Sequence, residues 1–112
     1  MINIETQIEN GIYEIIVEGD IDASSSIHLD NALETAVGDY KKILVNLENL
    51  SYISSAGLGV FIARLEDMGK DDLSMVLFGM NEKVQNVFKI LGLEELLNIQ
   101  TDKARALQAI EA

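Results

Sequence analysis

The sequence predicts an α/β fold: a mixed β-sheet that opens with an N-terminal hairpin and is packed with about four α-helices. Three observations predict it. Asn10-Gly11 separates two runs rich in β-branched residues, the pattern of a tight hairpin turn. Residues 43–47, Ile-Leu-Val-Asn-Leu, form a short apolar run of the kind found in strands buried on both faces. Other segments repeat their apolar residues at helical spacing, and this alternation of strand and helix implies a mixed sheet with crossover helices.

Residues 2–8 alternate partly with period two and pair through Asn10-Gly11 with a second strand over 12–19. Gly19-Asp20-Ile21-Asp22 then reads as a loop with exposed acidic side chains. Ser24, Ser25 and Ser26 are N-cap candidates for a helix carrying Ile27, Leu29, Ala32, Leu33, Ala36 and Val37, closed near Gly38. After the 43–47 strand comes Ser51-Tyr52-Ile53-Ser54-Ser55-Ala56-Gly57-Leu58-Gly59-Val60-Phe61-Ile62, where strand gives way to helix. The helix begins near Ser54 or Ser55, carries Val60, Phe61, Arg64, Leu65 and Met68 at helical spacing, and stops near Gly69.

Residues 73–78 read as a strand. Gly79-Met80-Asn81 starts a helix with Val84, Val87, Phe88 and Leu91 on one face and Gly92 as its C-cap. Residues 96–99 read as a short edge strand. Thr101 is placed as the cap of a last helix, from Asp102 to about Glu111, with Ala104, Leu107 and Ile110 facing inward. Met68, Met75 and Met80 fall within apolar patterns as core filling.

A length of 112 residues suits one domain, over 1–112. The formal net charge of -11 disfavours nucleic acid and anionic membrane surfaces, which are bound mainly through Lys and Arg, and suits basic protein partners. The chain has no cysteine, which excludes disulfides and thiolate metal sites. Its first residues lack the basic and apolar regions of a secretory signal, and its apolar runs fall short of the roughly 20 residues that span a bilayer. A cytoplasmic location is expected.

Standard enzyme motifs fail one by one. Neither Ser54 nor Ser55 has the Gly-x-Ser-x-Gly setting of a hydrolase nucleophile, and His28 is the only histidine available as a base. Gly57-Leu58-Gly59 lacks the third glycine of a dinucleotide fingerprint, where Ile62 stands, and no Gly-Lys-Ser or Gly-Lys-Thr completes a phosphate loop. Asp20 and Asp22 without further ligands make a poor metal site and a better acidic surface loop. Two readings of the serine pair stay open. A serine at a helix start can simply cap it, or, because free N–H groups and the helix dipole favour an anion there, it can carry a phosphate.

The order of elements, the Gly19-Asp20-Ile21-Asp22 loop and above all the stretch from Tyr52 to Val60 resemble the STAS domain of bacterial anti-sigma factor antagonists. The similarity covers nearly the whole chain, including the later helix and its Gly-Leu ending near Leu93. The resemblance implies a STAS-like mixed sheet and a partner-switching protein without catalytic activity. Its unphosphorylated form binds an anti-sigma factor that is itself a serine kinase, and so frees the sigma factor. Phosphorylation ends the binding, and a serine phosphatase restores it.

Matching the family's motif places the phosphoacceptor at Ser55, with Ser54 as the rival and in a position often held by Asp. It assigns Gly19, Asp20, Ile21, Asp22 and Ser24 to the partner surface, together with Ser54, Ala56, Gly57, Leu58 and Gly59. No cofactor is implied for this chain, since ATP and magnesium belong to the partner kinase. The alternatives are a STAS module that serves as a docking scaffold without phosphorylation and, further off, a small hydrolase.

Overall fold

Asn10 and Gly11, with φ of 53° and 79°, make the tight turn that their sequence predicts. They join β1 (Ile2–Glu9) to β2 (Ile12–Ile21) in a computed structural model that describes residues 2–67 and 72–111. The chain continues through α1 (Ser26–Asp39), β3 (Lys42–Ile53), α2 (Ser55–Ala63), β4 (Ser74–Phe78), α3 (Glu82–Ile90), α4 (Leu93–Leu96), β5 (Asn98–Gln100) and α5 (Lys103–Glu111). The strands lie in the order β1-β2-β3-β4-β5, with β1 antiparallel to β2 and every later neighbour parallel.

Because successive parallel strands are added in one direction, right-handed crossovers put their helices on the same face. The larger core follows from that rule: Ile15, Val17, Val45, Leu47 and Leu77 of the sheet meet Leu29 and Leu33 of α1, Leu58 and Phe61 of α2, and Val84 and Phe88 of α3. Phe61 and Phe88, 5.8 Å apart between ring centres, join α2 to α3. Among the described residues only α5 covers the other face, where Ala106 and Ile110 pack on Ile12, Leu44, Val76 and Phe78.

The fold class stands, with differences in detail. β3 runs six residues beyond the apolar run, to Ile53, because its polar second half pairs with residues 18–21 of β2. Gly19, Asp20 and Ile21 therefore end a strand and do not form a loop. Ordered helix α2 closes at Ala63 and turns follow, while Met68 and Gly69 lie outside the described residues. A one-turn helix, α4, precedes the edge strand, which starts at Asn98. The last helix is capped by Asp102, whose carboxylate accepts the Arg105 N–H at 2.8 Å, so Thr101 is not the cap. Ala106 takes the buried place expected of Ala104, and Ile27 is exposed.

One buried acid pins α5 to the sheet. Glu14 is 4% exposed, and its carboxylate accepts from Lys103 Nζ at 2.8 Å, Asn46 Nδ2 at 3.0 Å and Gln7 Nε2 at 3.2 Å. Burial alone raises its pKa; the hydrogen bonds from Lys103, Asn46 and Gln7 and the charge of Lys103 outweigh that and hold it below the ordinary value. A lowered folded pKa contributes stability that is present above the unfolded value near 4.5 and lost as pH falls through the folded one. Lys103→Met is expected to cost about 1–3 kcal/mol at pH 7, less than for a fully buried pair because Lys103 reaches solvent. In urea unfolding the gap between variant and parent should shrink below pH 4.5; a gap independent of pH counts against the ion pair.

Gly57 sets how closely α2 approaches the strands. A Cβ there meets Ile21 Cγ2 and Ile53 Cγ1, each at 2.7 Å, whereas one at Gly59 meets nothing. Gly57→Ala is therefore expected to destabilise the fold by about 1–3 kcal/mol. Gly59→Ala should stabilise it by about 0.5–1 kcal/mol, since only helix propensity changes. Chemical unfolding of both variants decides; effects of the same sign remove close packing as the reason for Gly57.

Candidate functional site

The site grows from the register of two strands. Ile21 pairs with Ile53 and Asp20 with Tyr52, so the carboxyl ends of β2 and β3 finish side by side. The Ser54 N–H then donates to the Ile21 carbonyl at 2.8 Å, which carries the contact one residue beyond the sheet. The two segments singled out in the sequence are thus brought together at the carboxyl end of the parallel strands, where such sheets commonly bind ligands.

Within the serine pair the two side chains differ. Ser54 is the N-cap of α2: its backbone is extended, and its hydroxyl oxygen accepts the Gly57 N–H at 3.4 Å. Its carbonyl accepts the Leu58 N–H at 3.0 Å, the first bond of the helix. Ser55, the first helical residue, is exposed, while Ser54 is half-buried. The N–H groups of Ser55 and Ala56 belong to the first turn, where an α-helix supplies no acceptor. Capping therefore falls to Ser54, and the hydroxyl of Ser55 stands at the positive end of the helix dipole.

Asp22 holds the turn that leads into α1. Its Oδ1 accepts from the Ser24 N–H at 3.0 Å, the Ser24 hydroxyl at 2.8 Å, the Ser25 N–H at 2.9 Å and the Ser25 hydroxyl at 2.9 Å. The Ser24 hydroxyl first, and then the Ser25 groups, hold its carboxyl down to about 2. Ser25 occupies the N-cap position of α1 without a side-chain bond to the helix, because its hydroxyl is turned back to Asp22. A carboxylate engaged in this way orders the entry to α1.

Of the other residues assigned to the surface, Asp20 and Gly19 are half-buried, Ser24 and Gly59 are exposed, and Ala56 is half-buried. Ile21, Gly57 and Leu58 are buried, so their side chains support the surface from below. Two exposed side chains of the same stretch were not assigned by the sequence reading: Tyr52, 55% exposed and paired with Asp20, and Ile62, 46% exposed on α2. Ser55, Gly59 and Ile62 follow one line along α2 at spacings of four and three. Tyr52 lay within the stretch that drew attention, but only the β2–β3 register shows that it stands beside Asp20.

His28 lines a depression with Asn3, Asp22 and Ser24, and neither Ser54 nor Ser55 lines it. Arg64, just beyond α2, bonds to Asp30 Oδ1 at 2.8 Å and so braces α2 against α1. No helix among the described residues is long and apolar enough to cross a membrane.

With this geometry in place, the comparisons with known proteins agree among themselves. The STAS domain profile matches residues 3–106. An anti-sigma-B factor antagonist of Staphylococcus aureus is 33% identical over 99 residues, covering 88% of this chain and 92% of that protein. The crystal structure of an anti-sigma factor antagonist from Mycobacterium paratuberculosis superposes with a TM-score of 0.92 at 20% identity, covering all of this chain and 96% of that one. The Bacillus cell fate determinant SpoIIAA in its phosphorylated form superposes with a TM-score of 0.71 at 19% identity, covering 96% of this chain and 99% of that one. The last two likenesses concern the fold; the profile and the sequence identity establish that this chain belongs to the STAS domain family.

Proposed function

We propose that this protein is an anti-sigma factor antagonist that works by binding, and that phosphorylation of Ser55 ends the binding. The observation that carries the switch is the division of labour between the two serines: Ser54 caps α2, which leaves Ser55 exposed at the carboxyl ends of β2 and β3. The Staphylococcus relative is an anti-sigma-B factor antagonist, and a protein of the same fold is described in a phosphorylated form. In this reading the unphosphorylated surface docks on a cytoplasmic anti-sigma factor that is also a serine kinase. ATP and magnesium come with that kinase, and a serine phosphatase resets the switch.

The physics of the switch is local. A phosphate adds about 1.5 to 2 negative charges at neutral pH, and at the first position of a helix the free N–H groups and the dipole tolerate it. The same charge shut into a closed interface has to be desolvated, and it adds to the -11 that the chain already carries. Affinity falls while the fold stays as it is. A second reading, docking without phosphorylation, is favoured by Ser54 itself, which stands where the family often has an Asp and so lacks one fixed charge beside the acceptor.

The test is to incubate the protein with its cognate anti-sigma kinase and ATP and to map phosphate by mass spectrometry. Modification is expected at Ser55, absent in Ser55→Ala and kept in Ser54→Ala, although the latter loses a cap and about 0.5–2 kcal/mol of stability. Phosphate found on Ser54, or none with a kinase active on another antagonist, overturns the assignment. Ser55→Asp should weaken binding of the anti-sigma factor with unchanged circular dichroism; equal affinity for Ser55→Asp and a chemically phosphorylated protein, both matching the parent, favours the scaffold reading.

A further inference from the structure

The second face of the sheet is covered more thinly than the first, and a cavity results. Among the described residues α5 alone packs there, and it lies over β3, β4 and β5. The register sets Gln7 opposite Glu14 and Glu9 opposite Ile12, so these side chains of β1 stand on the same face, beside the helix. Between them and α5 a cavity of about 170 Å³ is left. Its apolar lining is Ile12, Leu44 and Leu107, of which the first two are almost fully buried. Gln7 and Asn10, both exposed, form its rim with Lys103, and Glu9 and Glu14 complete the wall.

Size and chemistry together limit what can enter. A cavity of about 150 Å³ lined by aliphatic groups holds a benzene ring, so the space beside α5 suits a body of about six or seven carbon atoms. Charge is disfavoured. Lys103 Nζ and Glu14 Oε1 are 2.8 Å apart and neutralise one another. An entering cation meets the Lys103 ammonium and an anion meets the carboxylates of Glu9 and Glu14, each after shedding its own water.

Hydrogen-bonding capacity remains at the rim. An ammonium has three N–H groups, and Lys103 spends one on Glu14. Gln7 donates to Glu14 at 3.2 Å, which leaves its carbonyl oxygen, and the Asn10 amide makes no side-chain hydrogen bond among the described residues. Donors and acceptors thus stand together over an apolar floor. A hydroxyl matches them, because it gives one bond and takes others.

We propose that this cavity binds a small uncharged alcohol or phenol, with its carbon body on Ile12, Leu44 and Leu107 and its hydroxyl among Lys103, Gln7 and Asn10. Such a ligand bridges the hairpin and α5, and by binding only the folded chain it holds the helix on the sheet. The cavity lies at the start of β2, whereas Ser55 follows the carboxyl ends of the strands. Docking at Ser55 therefore leaves it open.

Nuclear magnetic resonance titration of the full chain with benzyl alcohol, benzylammonium and benzoate compares one ring in three charge states. Benzyl alcohol is expected to give saturable shifts with a Kd on the order of 1 mM, the range for so few heavy atoms. Nuclear Overhauser contacts should run from its ring to the methyl groups of Ile12, Leu44 and Leu107. Benzylammonium and benzoate should each bind at least about fivefold more weakly. Leu107→Trp, which fills the cavity from a half-buried position, should abolish saturation with unchanged circular dichroism. Should that variant unfold, the Overhauser contacts in the parent still locate the ligand. No saturation by about 20 mM, contacts to other residues, or a charged analogue that binds as tightly as the alcohol overturns the proposal.

Discussion

The hydrogen bond from the Ser54 N–H to the Ile21 carbonyl, at 2.8 Å, is the constraint on which the Ser55 end of the molecule depends. It holds the last residue before α2 against the end of β2, so the helix starts at one fixed place over the sheet edge. Gly57 extends the constraint, since its missing side chain lets the first turn rest on Ile21 and Ile53. Those two residues are cross-strand partners and almost fully buried. The position of Ser55 thus follows from a strand register, one backbone bond and one absent methyl group.

A site built this way is rigid before any partner arrives. Arg64 ties the far end of α2 to Asp30 of α1, and Asp22 ties the start of α1 to the turn that leaves β2. Both ties anchor backbone or helix ends, so the side chains between them, Asp20, Tyr52, Ser55 and Ile62, keep their relative places. A preformed surface loses less conformational freedom on binding than a flexible one. A single added charge can then act through the surface alone, which is what the proposed switch requires.

Much of this was legible in the sequence, for identifiable reasons. The Asn10-Gly11 turn, the apolar run of β3 and the helical spacing of Val84 and Phe88 are local patterns, and each element formed where its pattern lay. What escaped was non-local. The polar end of β3 is a strand because β2 pairs with it, and nothing in Glu48, Asn49 or Ser51 announces that. Asp22 looked like a free surface acid because its four hydrogen bonds depend on a backbone bend that composition does not encode. Likewise Ile21 and Leu58 belong to the motif yet face the core, since a motif records which residues recur and not which way they point.

The serine pair shows where sequence reasoning stops and geometry takes over. Ser is a favoured cap at either position, so local chemistry leaves Ser54 and Ser55 equivalent. A cap needs extended backbone and a hydroxyl turned toward the third N–H; Ser54 has φ of -86° and ψ of 172°, and its oxygen faces Gly57. The next residue is already helical and its side chain is exposed. The same step that starts the helix therefore separates two chemically identical hydroxyls, one spent on structure and one left to solvent. If a phosphate is carried here, it sits on the hydroxyl whose modification removes no cap, and folding and signalling are kept apart within two adjacent residues.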